Sequence, residues 1–166
     1  RIMQSIPPQK FSYAYHYIWS MVYYWEKKYD SALVESNLAV TLNDYNTTLF
    51  FSRARIFSRL GDYEKALDAL RTSNQLDNSN IDVIIGMAAL FIYFNQTDSC
   101  IKYSRKALAL NPYKASAYYY LAQSYDLKKD ASEAEENARQ YIKIGQNDPA
   151  YSKRKPEMQH LLGNSQ

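Results

Sequence analysis

A single cysteine, Cys100, rules out an internal disulfide, so packing alone must hold the fold. Two histidines, His16 and His160, stand near opposite ends, and with one cysteine they offer no metal-ligand spacing. Glycine is scarce: Gly61, Gly86, Gly145 and Gly163 are too scattered to build a phosphate-cradling loop. Four glycines and five prolines in 166 residues suit a helical chain. The formal net charge of +3 and pI near 8.8 fall well short of a nucleic-acid footprint. No run is long and apolar enough to read as a membrane-spanning helix. Glu133, Glu135 and Glu136 adjoin on one expected helix and read as a solvated face rather than an acid–base pair. Neither convergent titratable groups nor a cofactor motif is present, so the expectation is a non-enzymatic chain without cofactor or metal.

What is present is a period. Ala32, Ala66, Cys100 and Ala134 recur at one fixed step without a gap. Tyr23, Phe57, Phe91 and Tyr125 form an aromatic column at the same step, Ser20, Ala54, Ala88 and Ala122 a small one, and Leu42, Leu76, Leu110 and Ile144 an aliphatic one. Each unit divides into two helical patterns. In the third, Ile84 to Phe91 carries apolar residues at helical spacing, Asn95-Gln96 breaks it, and Ser99 to Leu110 resumes it until Asn111-Pro112. In the second, Gly61 can take the left-handed conformation that ends a helix, and Asp62 can cap the next. Tyrosine is abundant, at 17 residues. A large ring with a polar tip suits a thin array whose side chains are seldom wholly buried. Cys100 falls in the small column and is expected to be a packing thiol.

The period, the Gly61-Asp62-Tyr63-Glu64-Lys65-Ala66 hinge, the first-helix set Tyr118, Leu121, Ala122 and Tyr125, and the small pairs Ala66/Ser73 and Cys100/Ala107 resemble the tetratricopeptide repeat (TPR). The resemblance implies an all-α, right-handed superhelical α-solenoid of helix–turn–helix units with a C-terminal capping helix. The units are expected at 13–46, 47–80, 81–114 and 115–148, after a linker over 1–12 that contains Pro7-Pro8 and before a cap and tail over 149–166. Departures from the family pattern are His16 and Arg53 at apolar positions, and Asp44, Asn78 and Gln146 where a closing proline is usual; only Pro112 survives. In the tail, Asp148-Pro149 reads as a helix start, and Pro156 to Leu162 as a short helix ended by Gly163. Met158, Leu161 and Leu162, with Tyr151, are expected to cover the last apolar face, and Lys153-Arg154-Lys155 to be solvated.

In the family, first helices line a concave groove. Carrying its positions over implies a peptide-binding surface of Tyr17, Met21, Tyr24, Trp25, Phe51, Arg55, Arg59, Ile85, Ile92, Tyr93, Tyr119 and Gln123. Aromatics and arginine are frequent anchors of partner sites. The family's clamp for acidic chaperone tails is not reproduced: its positions hold Tyr17, Met21, Ser52, Asp82 and Gly86 in one register, and Phe51, Arg55, Gly86, Ser116 and Tyr120 in the other. Arg55 and Arg59, one turn apart, remain able to grip a single carboxylate. The implied function is a protein-interaction module that takes a peptide or helix of a partner, with no nucleic acid expected. The alternative is a spacer or self-association domain whose groove is filled by its own chain or a second copy. A start at Arg1 rather than Met leads us to expect a piece of a longer protein.

Overall fold

The computed structural model describes residues 12–163, so the expected linker lies, Ser12 apart, outside the described residues. Among them are nine α-helices and no strand. They are α1 Tyr13–Trp25, α2 Tyr29–Leu42, α3 Thr47–Leu60, α4 Tyr63–Leu76, α5 Ile81–Tyr93, α6 Thr97–Leu110, α7 Ala115–Leu127, α8 Ala131–Ile144 and α9 Tyr151–Gly163. First helices begin at Tyr13, Thr47, Ile81 and Ala115, second helices at Tyr29, Tyr63, Thr97 and Ala131, and both sets keep the step of the sequence columns.

The turn inside each pair has one recurring feature. Lys27, Gly61, Asn95 and Lys129, again one repeat step apart, all take positive φ, at 61°, 82°, 56° and 62°. Only Gly61 does so without a Cβ; each of the others bears a strain of about 1 kcal/mol. The turn is therefore set by the packing of the helices it joins, and glycine is a convenience at one of four sites. Caps are shared unevenly. Ser12, Asn46 and Asn80 accept from amides of the first turn of α1, α3 and α5, and Asp62 and Asp130 do so for α4 and α8.

The chain divides into two units, through Asn78 and from Ser79 onward. In the first, α1 pairs with α2, α3 with α4, and α2 packs on α3. Ala32, Ala54 and Ala66 are buried at the crossings, where small side chains let backbones approach, and Tyr24, Ile56, Leu49 and Phe50 fill the space around them. In the second, α5 to α8 pair likewise and α9 packs on α8 and α7. Cys100 is buried there; its thiol points at the Tyr120 carbonyl, 3.7 Å away, and burial pushes its pKa up, as fits an unreactive packing group.

Leu42, Leu76 and Leu110 keep their period and are exposed at the last residue of their helices, so that column marks register rather than core. Two sequence expectations change. The tail forms one helix with Pro156 inside it, not a helix begun by Pro156. Proline there removes an amide bond to the Ser152 carbonyl, at a cost of roughly 3 kcal/mol, and burial of Met158 among Tyr141, Tyr151, Leu161 and Leu162 offsets it. The helix begins at Tyr151 rather than at Asp148-Pro149, and in the turn before it the Asp148 carboxylate accepts from the Ala150 amide at 2.8 Å. Finally, Arg154 is not solvated. It turns inward to the Asp148 carboxylate at 3.0 Å and the Tyr120 hydroxyl at 2.9 Å.

Candidate functional site: two first-helix faces

In the N-terminal unit the expected surface is built by α1 and α3. Helical spacing puts Tyr17, Met21, Tyr24 and Trp25 along α1 and Phe51, Arg55 and Arg59 along α3. They do not share one fate. Tyr24 is buried, in a cluster with Ala32 and Ile56 that Met21 also touches. Tyr17 packs on Ala39, Val40, Leu49 and Phe50. These three belong partly or wholly to the core, because at this helix crossing the ring that faces inward also seals the pair. Phe51 is half-buried, and Trp25 is 71% exposed.

Over Tyr24 two cations converge. The Arg55 guanidinium lies 4.7 Å from the Tyr24 ring centre and 5.9 Å from the Trp25 ring. Arg59 lies 5.9 Å from the Tyr24 ring, and its Nε donates to the Tyr24 hydroxyl at 3.1 Å. Burial acts to raise the Tyr24 pKa, but the hydrogen bond from Arg59 and the charge of Arg55 outweigh it, and the phenol is held below its ordinary value. Among the described residues neither guanidinium is ion-paired to a carboxylate. Helices α1 and α3 contain no Asp or Glu at all. The acids that flank these helices in sequence are engaged elsewhere: Glu26, after Trp25, is held by Lys28 at 2.8 Å, and Asp62, three residues after Arg59, by Lys65 at 2.6 Å.

In the C-terminal unit, Ile85 packs against Ile84, Ala107 and Ala117, Ile92 is half-buried, and Tyr93 is exposed with its ring edge on Phe94. Tyr119 and Gln123 do not line an open surface. The Tyr119 hydroxyl donates to Glu157 Oε2 at 2.8 Å, and Gln123 Nε2 donates to Glu157 Oε1 at 2.8 Å and to the Tyr119 oxygen at 2.9 Å. The Arg154 guanidinium stacks 4.3 Å from the Tyr119 ring centre. Helix α9 thus places its own cation and carboxylate on the face of α7. The sequence reading missed Arg154 and Glu157; their i, i+3 spacing was the available signal, hidden by a helix start assigned to Pro156.

Elsewhere in the C-terminal unit a recess of about 460 Å³ opens beside the start of α7, lined in part by Lys114, Ser116, Asn147 and Asp148. Its charges are already matched, Lys114 to Asp82 at 2.7 Å and Asp148 to Arg154. None of the twelve expected residues lines it. Among the described residues no cluster of His, Cys, Asp and Glu could hold a metal, and no helix is long and apolar enough to cross a membrane.

Helix pairs whose starts recur at one constant step define a helix–turn–helix repeat protein. Residues 47–80 match the family model for the tetratricopeptide repeat. A tetratricopeptide repeat protein from Parabacteroides merdae has a similar structure, with a TM-score of 0.81 at 19% identity over 97% of this chain and 63% of that one. MamA from Desulfovibrio magneticus aligns at a TM-score of 0.77 and 14% identity over 92% of each chain. YrrB, described as a TPR protein with an unusual peptide-binding site, aligns at 0.76 and 14% over 99% of this chain and 84% of that one. No curated protein sequence matches the chain. At such identities the likeness shows the fold alone. The described residues share the all-helical fold of tetratricopeptide-repeat proteins, and residues 47–80 match that family's model.

Proposed function

We propose that this chain is a protein-interaction module whose α1/α3 face docks a segment of a partner protein. The tetratricopeptide-repeat fold serves as a scaffold for protein–protein interaction. The observation that carries the reading is the Trp25–Tyr24–Arg55–Arg59 cluster, in which Arg55 lies between a largely exposed indole and the Tyr24 ring, Arg59 joins it on Tyr24, and among the described residues neither guanidinium is paired to a carboxylate. Exposed tryptophan beside arginine is the side-chain chemistry of interface anchors. Its counterpart on α7 is engaged by α9, so the docking reading is drawn for the N-terminal unit, with Phe51, Arg55 and Trp25 as the contacting residues. The test compares wild type with Trp25→Ala/Phe51→Ala against random peptides displayed on phage. Wild type is expected to enrich a family of peptides that the double variant, equally helical by circular dichroism, does not hold. Equal enrichment by both would remove this face from the function.

Self-association has its own support. On the outward side of α2, Val34, Leu38 and Leu42 are exposed one turn apart. At the first two of these repeat positions the other second helices carry Asp68 and Thr72, Lys102 and Lys106, or Glu136 and Gln140. An apolar stripe where the other helices are polar suits burial against a second copy. Sedimentation should then depend on concentration in wild type and not in Val34→Lys/Leu38→Lys.

A further inference from the structure

We infer that the segment docked on the α1/α3 face is acidic, with a carboxylate bridging Arg55 and Arg59 and an apolar neighbour lying on Trp25. This rests on the reading of that face as a docking surface.

Three observations lead to it. First, neither helix supplies an acid: α3 puts Arg55 and Arg59 one turn apart, α1 and α3 contain no Asp or Glu, and the carboxylate that reaches α1 from α2, Glu35, is taken by His16 at 2.7 Å. Arg59 is exposed and Arg55 half-buried, so an incoming anion reaches both without moving the helices. Second, the two guanidiniums are already fixed, against the Tyr24 ring and hydroxyl. Held in place by a buried phenol, they lose little rotamer freedom on gripping an anion, and a planar fork bound to a carboxylate gives two parallel hydrogen bonds. Third, the chain contains a carboxylate on the matching repeat positions. Tyr119 and Gln123 lie two repeat steps beyond Phe51 and Arg55, and they hold Glu157 through two hydrogen bonds of 2.8 Å. Where that face is closed, an acid on a helix closes it; where it is open, the same position carries an arginine in place of Gln123 and presents more charge to such a group.

Charge also argues against the nearest segment of the same chain. Residues 1–11 contain Arg1 and Lys10 and no acid, so they do not supply the anion.

The experiment selects random phage-displayed peptides on the full chain, then measures the best peptide and its Glu/Asp→Gln/Asn form by fluorescence anisotropy. Enriched peptides are expected to share an acid beside an aromatic or aliphatic residue. Removing the acid, or introducing Arg55→Gln/Arg59→Gln, should weaken binding at least tenfold, and binding should fall as salt rises. Peptides that lose affinity in Trp25→Ala but not in Arg55→Gln/Arg59→Gln would overturn the acidic partner and leave the docking face standing. No enrichment over a bare surface would overturn both. If binding is lost because Arg55→Gln/Arg59→Gln unfolds, Arg55→Lys decides. A lysine keeps the charge and loses the fork, so affinity should fall severalfold; an unchanged affinity excludes the bridging geometry. Concentration-dependent self-association that Arg55→Gln/Arg59→Gln abolishes would replace the partner with a second copy.

Discussion

Two faces at matching repeat positions meet different ends. On α3, Arg55 and Arg59 stand over Tyr24, ion-paired to no carboxylate among the described residues; on α7, Tyr119 and Gln123 already hold Glu157, with Arg154 stacked on the ring. In both, an arginine donates to a phenol, Arg59 to Tyr24 and Arg154 to Tyr120. The arginine comes from the neighbouring repeat in one case and from the tail in the other. What separates them is the carboxylate that α9 brings. An array of repeats has an unsatisfied end, and here the helix that covers that end supplies a charged pair as well as an apolar plug. On the α1/α3 face no carboxylate among the described residues is paired to Arg55 or Arg59.

The strongest way to break the comparison is to remove the plug. Met158 is 0% exposed, in a cluster with Ala122, Ala138 and Tyr141. Met158→Ala should cost about 3 kcal/mol, as large-to-small changes at closed sites do. The loss should appear in hydrogen exchange as lowered protection of α7 to α9, with α1 to α4 unchanged. Equal loss in both units would show that the plug supports the whole chain and that the two faces are not energetically separate.

Alkali should separate the units next. Tyr119 and Tyr120 are pushed above their ordinary value of 10.0, chiefly by burial, and Tyr141 is pushed up to about 12 by burial and by the Asp148 charge. A raised folded-state pKa gives stability that is complete below the unfolded value and is lost as pH rises toward the folded one. The C-terminal unit should therefore weaken progressively between about pH 10 and pH 12. Tyr24 runs the other way: its depressed pKa favours the folded state once the phenol ionises, and that contribution disappears as pH falls through its folded value. Hydrogen exchange across an alkaline series should show α7 to α9 opening before α1 to α4. The reverse order would contradict the assigned environments of these phenols.

The sequence showed the repeat clearly because packing at helix crossings tolerates few residue types. Ala32, Ala66, Cys100 and Ala134 are all buried, and so are Ser20, Ala54, Ala88 and Ala122. The hinge was legible at Gly61 and at Asn95, whose residue types favour the left-handed backbone, whereas Lys27 and Lys129 adopt it without a residue type that announces it. The site was less legible. A position aimed between helices can serve core and surface together, so Tyr24 was readable as a first-helix residue but not as the buried base on which Arg55 and Arg59 rest. Arg53, at a position usually apolar in the family, lies 4.9 Å over Phe50 with its Nε buried and unbonded, and burial lowers its pKa. Glu157 depends on how the tail folds back, which no period encodes, and Pro156 pointed to the wrong helix boundary.

The smallest expected effect tests whether charge or shape closes the α7 face. Glu157→Gln keeps an oxygen for the Tyr119 hydroxyl and removes the negative charge. After burial, the hydrogen bond and charge of Glu157 are the next causes that push Tyr119 up, against the lowering influence of Arg154. The variant's Tyr119 should therefore ionise at lower pH, read by tyrosinate absorbance against Tyr119→Phe. The melting free energy should change by less than about 1 kcal/mol, because the bonds are solvent-exposed. If peptides then bind at α7 in Glu157→Gln but not in wild type, the carboxylate alone kept that face closed. If the pKa falls and nothing binds, the body of α9 does the covering, and its carboxylate is not what closes the α7 face.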